Sequence, residues 1–256
     1  MYALKQIPKG DVMINSKLEK VLAILLFVII LFIYEFAIAP TDLFNSEIDR
    51  FISLVFSFIC AYGIRCFYTY KMTQNASKKI QGFYDENKFA EALEYINDCI
   101  NKNPKAEWLH CQKLIAMAYN GDFSGYKSYS SQLKISDNKT KELYQNIISM
   151  LDQLILYLEK GILPTYSGTP TQNDKPLFQL IYLLSRPESL DSSEIISSAL
   201  HICNSSNANI IKATAAFVIY KEYRKMNADD LCDMYAETIR EYAPSKEFLN
   251  CIASQI

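Results

Sequence analysis

Residues 82–104 read GFYDENKFAEALEYINDCINKNP. Phe89, Ala92, Ile96 and Cys99 recur at steps of three and four, the period of one buried helical face. Phe83 closes an earlier apolar stretch, and Asn87 stands between the two. Asn tolerates the left-handed conformation that ends one helix and lets the next begin. Pro104 cannot continue a helix and stops the second one. The stretch therefore predicts a helical hairpin with its turn at Asn87 and its close approach at Ala92, where a small side chain lets the helices touch.

The offsets of Phe83, Asn87, Phe89, Ala92, Ile96, Cys99 and Pro104 resemble a tetratricopeptide repeat, a two-helix unit of 34 residues. The resemblance implies that Phe89 fills the groove beside Ala92 and that Pro104 ends the unit. Advancing Phe83, Asn87 and Phe89 by one period reaches Met117, Gly121 and Phe123, in the segment AMAYNGDF at 116–123. This looks like the turn of a second unit. Its second helix is weaker: Tyr126 and Ser130 replace the small and apolar residues, Asn138 stands where Pro would, and Ser and Gly crowd residues 124–131. The resemblance covers roughly residues 73–140, and no third unit follows at this period. Two units bury too little surface alone, so helices further along must complete the core. If the units present a concave face to a peptide, Tyr126 and Tyr129 are its candidate groove residues, with core filling as the competing role.

Periodicity supplies those further helices. A stripe from Leu143 to Leu158 predicts a helix over about 139–160. Gly161, Pro164, Gly168, Pro170 and Pro176 mark residues 161–176 as a loop or linker. An apolar segment at 177–185 follows, then a helix at 192–204 opened by Asp191 with Glu194 three residues on, a capping-box pattern. Helices at about 208–226, 228–242 and 246–254 complete the chain, the last with Ser245 as N-cap. The soluble part, residues 72–256, is expected to be an irregular α-solenoid or bundle: hairpins and a long helix over 72–160, then a C-terminal part, 177–256, packed on them.

Before it, the composition changes. Residues 21–39, VLAILLFVIILFIYEFAIA, hold one charge in nineteen residues. At about 1.5 Å per residue they reach across about 28 Å of hydrocarbon. The run exceeds a signal-peptide apolar core, and no small-residue cleavage site follows. A second run at 51–70, FISLVFSFICAYGIRCFYTY, is interrupted by Arg65 near one end, where a long side chain can snorkel. Tyr62, Tyr68 and Tyr70 fit an interfacial belt. An interfacial or re-entrant segment is the competing reading of this second run. Lysines 5, 9, 17 and 20 precede the first run, and Arg65, Lys71, Lys78 and Lys79 lie in or after the end of the second. The connecting loop is acidic apart from Arg50. The positive-inside rule then sets both termini in the cytosol and residues 1–71 as a two-helix transmembrane hairpin. Glu35 is the one acid in the first run and lies near its outer end.

Charge and motif content narrow the function. The net charge of −2 shows no basic patch beyond Lys78 and Lys79, which speaks against nucleic acid. Seven widely spaced cysteines without a C-x-x-C fit neither a disulfide framework nor a zinc site. His110 and Cys111 are adjacent on one helix, so their side chains diverge by about 100°, and His201 lies beside apolar Ile202. Asp229, Asp230 and Asp233 suit a helix N-terminus without metal. No nucleotide-binding, hydrolase or metalloprotease signature occurs, and no cofactor is implied. The resulting expectation is an all-α, membrane-anchored adaptor facing the cytosol, recruiting a protein or peptide, with no enzymatic role. The competing expectation is an accessory or assembling subunit of a transport or pore complex, a homo-oligomer held by its hairpin. The Lys-, Asn- and Ile-rich composition points to a bacterial plasma membrane.

Overall fold

The computed structural model describes residues 47–165, 175–185 and 190–253. The first apolar run, with Glu35, and the N-terminal lysines lie outside the described residues, as do the side chains at 47–54, 56 and 59. Among the described residues the chain is all-α, ten helices and no strand. In chain order they are α1 Glu47–Asp85, α2 Phe89–Lys102, α3 Glu107–Asn120, α4 Phe123–Gln132, α5 Asn138–Lys160, α6 Pro176–Leu184, α7 Ser192–Ser205, α8 Asn209–Lys225, α9 Asp229–Tyr242 and α10 Lys246–Ala253. The chain divides into two compact units, one containing residues 80–97 and 107–253, the other the stretch up to Lys79 with 98–106. Helix α1 runs unbroken through residue 71, where the composition changes, so that change coincides with no break in the helix.

Three hairpins turn in the same way. Asn87, Gly121 and Asn227 have φ of 59°, 73° and 56°. At each, the following N–H bonds back five residues: Lys88 to the Phe83 carbonyl at 2.8 Å, Asp122 to Met117 at 3.0 Å, Ala228 to Tyr223 at 3.1 Å. The left-handed residue itself bonds back three, Asn87 to Tyr84, Gly121 to Ala118 and Asn227 to Arg224. This pair of bonds satisfies the last carbonyls of the incoming helix. Asn87 and Gly121 take the turn conformation their spacing predicted. The turn at Asn227, between α8 and α9, lies off that period.

In the larger unit α8 is the central helix. Residues Ile210, Ile211, Ala213 through Tyr220 and Glu222 are all buried, leaving no polar face. Helices α7 and α9 flank it, with α6 and α3 also against it. Small residues at Ala213, Ala215 and Ala216 permit neighbours on several sides at once. Ser192 Oγ donates to buried Glu222 at 3.0 Å, and Lys225 pairs with the same carboxylate at 2.7 Å, so the start of α7 is tied to the end of α8. Helix α5 buries Tyr144, Leu151, Leu154, Ile155, Tyr157 and Leu158 and packs on α3, α6 and α10.

Four helix starts, those of α4, α5, α7 and α10, are closed by side chains. Asp191 and Glu194 form the predicted capping box of α7. Asp137 accepts from the Thr140 N–H at the head of α5. Ser245 Oγ accepts from Phe248 at 3.0 Å, as predicted for α10, and donates to the Gly121 carbonyl at 2.8 Å. The Glu247 carboxylate takes the N–H groups of Phe123 and Ser124 at the head of α4. Phe248, fully buried, meets Phe123 at 6.5 Å between ring centroids. The last helix thus closes the second hairpin.

In the other unit, α1 reverses the usual order of a soluble helix. Its buried side chains include Ser57, Thr69, Thr73 and Ser77. Its exposed ones include Val55, Phe58, Tyr62, Ile64, Phe67, Tyr68 and Tyr70, with Phe58 62% and Phe67 64% exposed against 3% for Thr73. Among the described residues, no helix is long and apolar enough to cross a membrane.

Candidate functional site

Of the side chains expected to pack the hairpins, Phe89, Ala92 and Phe123 are buried, Phe83 is half-buried and Pro104 is exposed. Ala92 and Ile96 are fully buried, and Phe89 lies between Tyr84 at 5.3 Å and Tyr119 at 5.1 Å. Phe83 packs edgewise against Tyr95 at 6.0 Å, and α2 ends at Lys102, two residues before Pro104. Tyr126 requires a correction. It is 1% exposed, and its hydroxyl donates to Asp152 at 2.8 Å, so it fills the core and presents no ring to a partner. Burial pushes the Asp152 carboxyl up, partly opposed by the Tyr126 hydrogen bond. Tyr129 is only partly buried. It stacks on His110, whose Nδ1 bonds its hydroxyl, and Lys113 Nζ lies 4.4 Å from its ring centroid. The two tyrosines therefore do not share a face, and Tyr129 is the one that reaches the surface.

A cavity of about 350 Å³ opens in the larger unit, between the ends of α1, α3, α5, α6 and α8. Its apolar walls come from Tyr84, Phe89, Ile115, Tyr119, Tyr144, Ile147, Leu177, Phe178 and Ile211. The aromatic residues arrive by ordinary helix logic. Tyr84 ends α1 beside the Asn87 turn, Tyr119 ends α3 beside the Gly121 turn, and Tyr144 faces inward from the first turns of α5. Burial raises the Tyr84 hydroxyl well above its ordinary range, helped by neighbouring Tyr144 and Tyr119, and pushes the Tyr119 hydroxyl up to about 12. Both stay protonated near neutrality.

Gln112 is one of the polar lining residues, with Gln81, Ser205, Ser206 and Asn207. It is 1% exposed. Its main-chain carbonyl accepts from the Tyr84 hydroxyl at 2.9 Å, and its Nε2 donates to the Tyr144 hydroxyl at 3.0 Å. Its Oε1 has no hydrogen-bond partner among the described residues. A buried carboxamide atom left unpaired costs about 1–3 kcal/mol. Two helix N-termini border the same cavity. Helix α6 begins after Lys175 and α8 after Ala208, neither cap residue supplying a side-chain bond. The Asn87 carboxamide takes the N–H of Asn209 at 3.2 Å. Lys175 lines the cavity, and exposed Asp85, bonded by Gln81 at 2.5 Å, lies on its border.

Sequence reasoning passed over this cavity. Gln112 stands in an apolar helix with no motif around it, and the walls come from segments more than a hundred residues apart. The side chains of Cys99, Cys111 and Cys232 are buried and that of Cys66 is exposed. His201 is exposed on α7, and Asp229 and Asp230 occupy the first turn of α9. No group of side chains suited to a metal ion occurs among the described residues. Comparison with protein-family models, with curated proteins and with solved structures finds no match to this chain.

Proposed function

We propose that this protein is a membrane-anchored helical-repeat scaffold whose body faces the cytosol and recruits a protein or peptide. The observation that carries the reading is the inverted face order of α1. Large apolar and aromatic side chains turn outward from Val55 to Tyr70 while hydroxyl-bearing ones turn inward. In water that arrangement exposes apolar surface without gain; in lipid it is the favoured order, since small and hydroxyl residues pack between helices and large ones meet the acyl chains. The apolar run at 21–39 provides a companion span, and the lysines flanking the two runs orient the pair with both termini inside. The hairpins turning at Asn87 and Gly121, one period apart, support the tetratricopeptide-like reading of the body. Tyr129, with Lys113 beside its ring, is the groove residue this reading retains.

Alkaline carbonate extraction followed by protease accessibility tests it. The full chain should stay in the membrane pellet. The body should be digested in inverted vesicles and protected in intact cells. Release of the protein by carbonate would remove the anchor from this account; digestion from outside intact cells would reverse its orientation.

A further inference from the structure

We propose that the outer edge of α9 docks a basic amphipathic helix of a partner protein. Helix α9 packs on α8: the Cys232 thiol reaches the Tyr220 carbonyl, and the Tyr235 ring stacks on Tyr223 at 5.7 Å. Beside that buried stripe, Leu231, Met234 and Thr238 repeat at steps of three and four, so they share one line along the helix. Leu231 is 38% and Met234 48% exposed. The Thr238 hydroxyl donates to the Met234 carbonyl at 3.0 Å, so its hydrogen bond is made within the helix and its methyl is left for the outer line. Met226, in the turn that leads into α9, is exposed as well. Methionine is flexible and polarizable, and it recurs on surfaces that receive apolar anchors of differing shape.

The charge beside this line selects the occupant. At about 100° per residue, Asp230, Glu237 and Glu241 fall next to Met234, with Asp233 beyond them. All four acids are exposed. Asp230, Asp233 and Glu237 make no ion pair among the described residues. Arg240, the one basic residue of α9, lies across the helix from Leu231. A partner helix with apolar residues at the helical period lays them along Leu231, Met234 and Thr238 and sets its Lys or Arg side chains against the acids. The same acids disfavour the other occupants of an apolar edge. They repel an anionic leaflet, and a second copy presenting this edge would oppose acid to acid. The proposal rests on the recruitment reading and deepens it by naming the partner class. It does not depend on the anchor, which carbonate extraction reads separately.

The test is fluorescence anisotropy with the full chain in uncharged maltoside micelles. The probe is a labelled helical peptide of Leu, Ala and Lys, with Leu at the helical period on one face and Lys beside it. A counterpart with Glu in place of Lys keeps the apolar face and reports peptide held by micelles. We expect saturable binding of the Lys peptide that weakens as ionic strength rises, and no binding of the Glu peptide beyond that of micelles alone. Glu237→Lys should weaken the Lys peptide about three- to tenfold, and Met234→Ser about fivefold. Glu142→Lys, which reverses an exposed acid on α5, should leave it unchanged. All three substitutions fall on exposed positions, which keeps the folded body intact. Absence of saturable binding, equal binding of the two peptides, indifference to Met234→Ser, or an equal response to Glu237→Lys and Glu142→Lys would overturn the proposal. Loss of binding in Tyr129→Ala but not in Glu237→Lys would overturn it too, while leaving recruitment itself to the hairpin face.

Discussion

Gly121 carries two constraints at one atom. Its φ of 73° is a conformation most side chains adopt only with strain, and a Cβ there would stand 2.5 Å from Ser245 Oγ. Gly121→Ala should therefore lose about 1–3 kcal/mol in denaturant unfolding. Asn87 occupies the equivalent position with a side chain that serves a neighbour, accepting from Asn209. Asn87→Gly keeps the turn and removes the acceptor, so its cost should be smaller, about 1 kcal/mol. The contrast explains why one turn carries Asn and the other Gly. At Gly121 a side chain would meet Ser245, whereas at Asn87 the side chain accepts a hydrogen bond from Asn209.

Helix α5 depends on a residue outside itself. The Glu107 carboxylate accepts from the N–H groups of Ser136 and Asp137, at 2.9 and 2.8 Å, and from the Ser136 hydroxyl. Burial pushes this carboxyl up, but the Ser136 and Asp137 hydrogen bonds outweigh it and hold it below its ordinary value. A carboxyl lowered by folding contributes stability above its unfolded pKa and loses it as pH falls through the folded one. The melting temperatures of wild type and Glu107→Gln should differ at neutral pH and converge as acidification passes below the ordinary carboxylate range. A melting difference that persists unchanged at pH 3 would show that the carboxylate charge is not what holds this loop. Helix α1 offers a second test at this scale. An Asp placed at Phe58, on the outward face, should cost about 2.5–3.5 kcal/mol of insertion if that face meets lipid, seen as a larger carbonate-soluble fraction. A helix facing water would tolerate it.

Across the larger unit, the last helix decides whether the hairpins hold. Helix α10 packs on α5, and its Phe248 closes over Phe123 while Ser245 and Glu247 bond the second turn and the head of α4. Phe248→Ala should cost roughly 3–5 kcal/mol and raise protease sensitivity first around α4, the shortest helix of the two hairpins. The need for such a closing element was legible: two hairpin units have too little surface to bury each other. Which helix supplies it was not. Nothing in KEFLNCIA shows that it seeks residue 123 and not any other apolar patch.

Periodicity, breakers and caps determined by themselves that this chain is helical, where the turns at Asn87 and Gly121 fall, and that α7 and α10 begin at Asp191 and Ser245. Each is a local matter, settled by backbone sterics and by hydrogen bonds within a few residues. Tertiary structure alone decided the rest. It buried α8 continuously from Ala213 to Tyr220, sent Tyr126 into the core and left Tyr129 outside. It also assembled a cavity around Gln112 from segments distant in the chain. Burial and enclosure are properties of a residue's surroundings in space, and those surroundings exist only once non-neighbouring helices have packed.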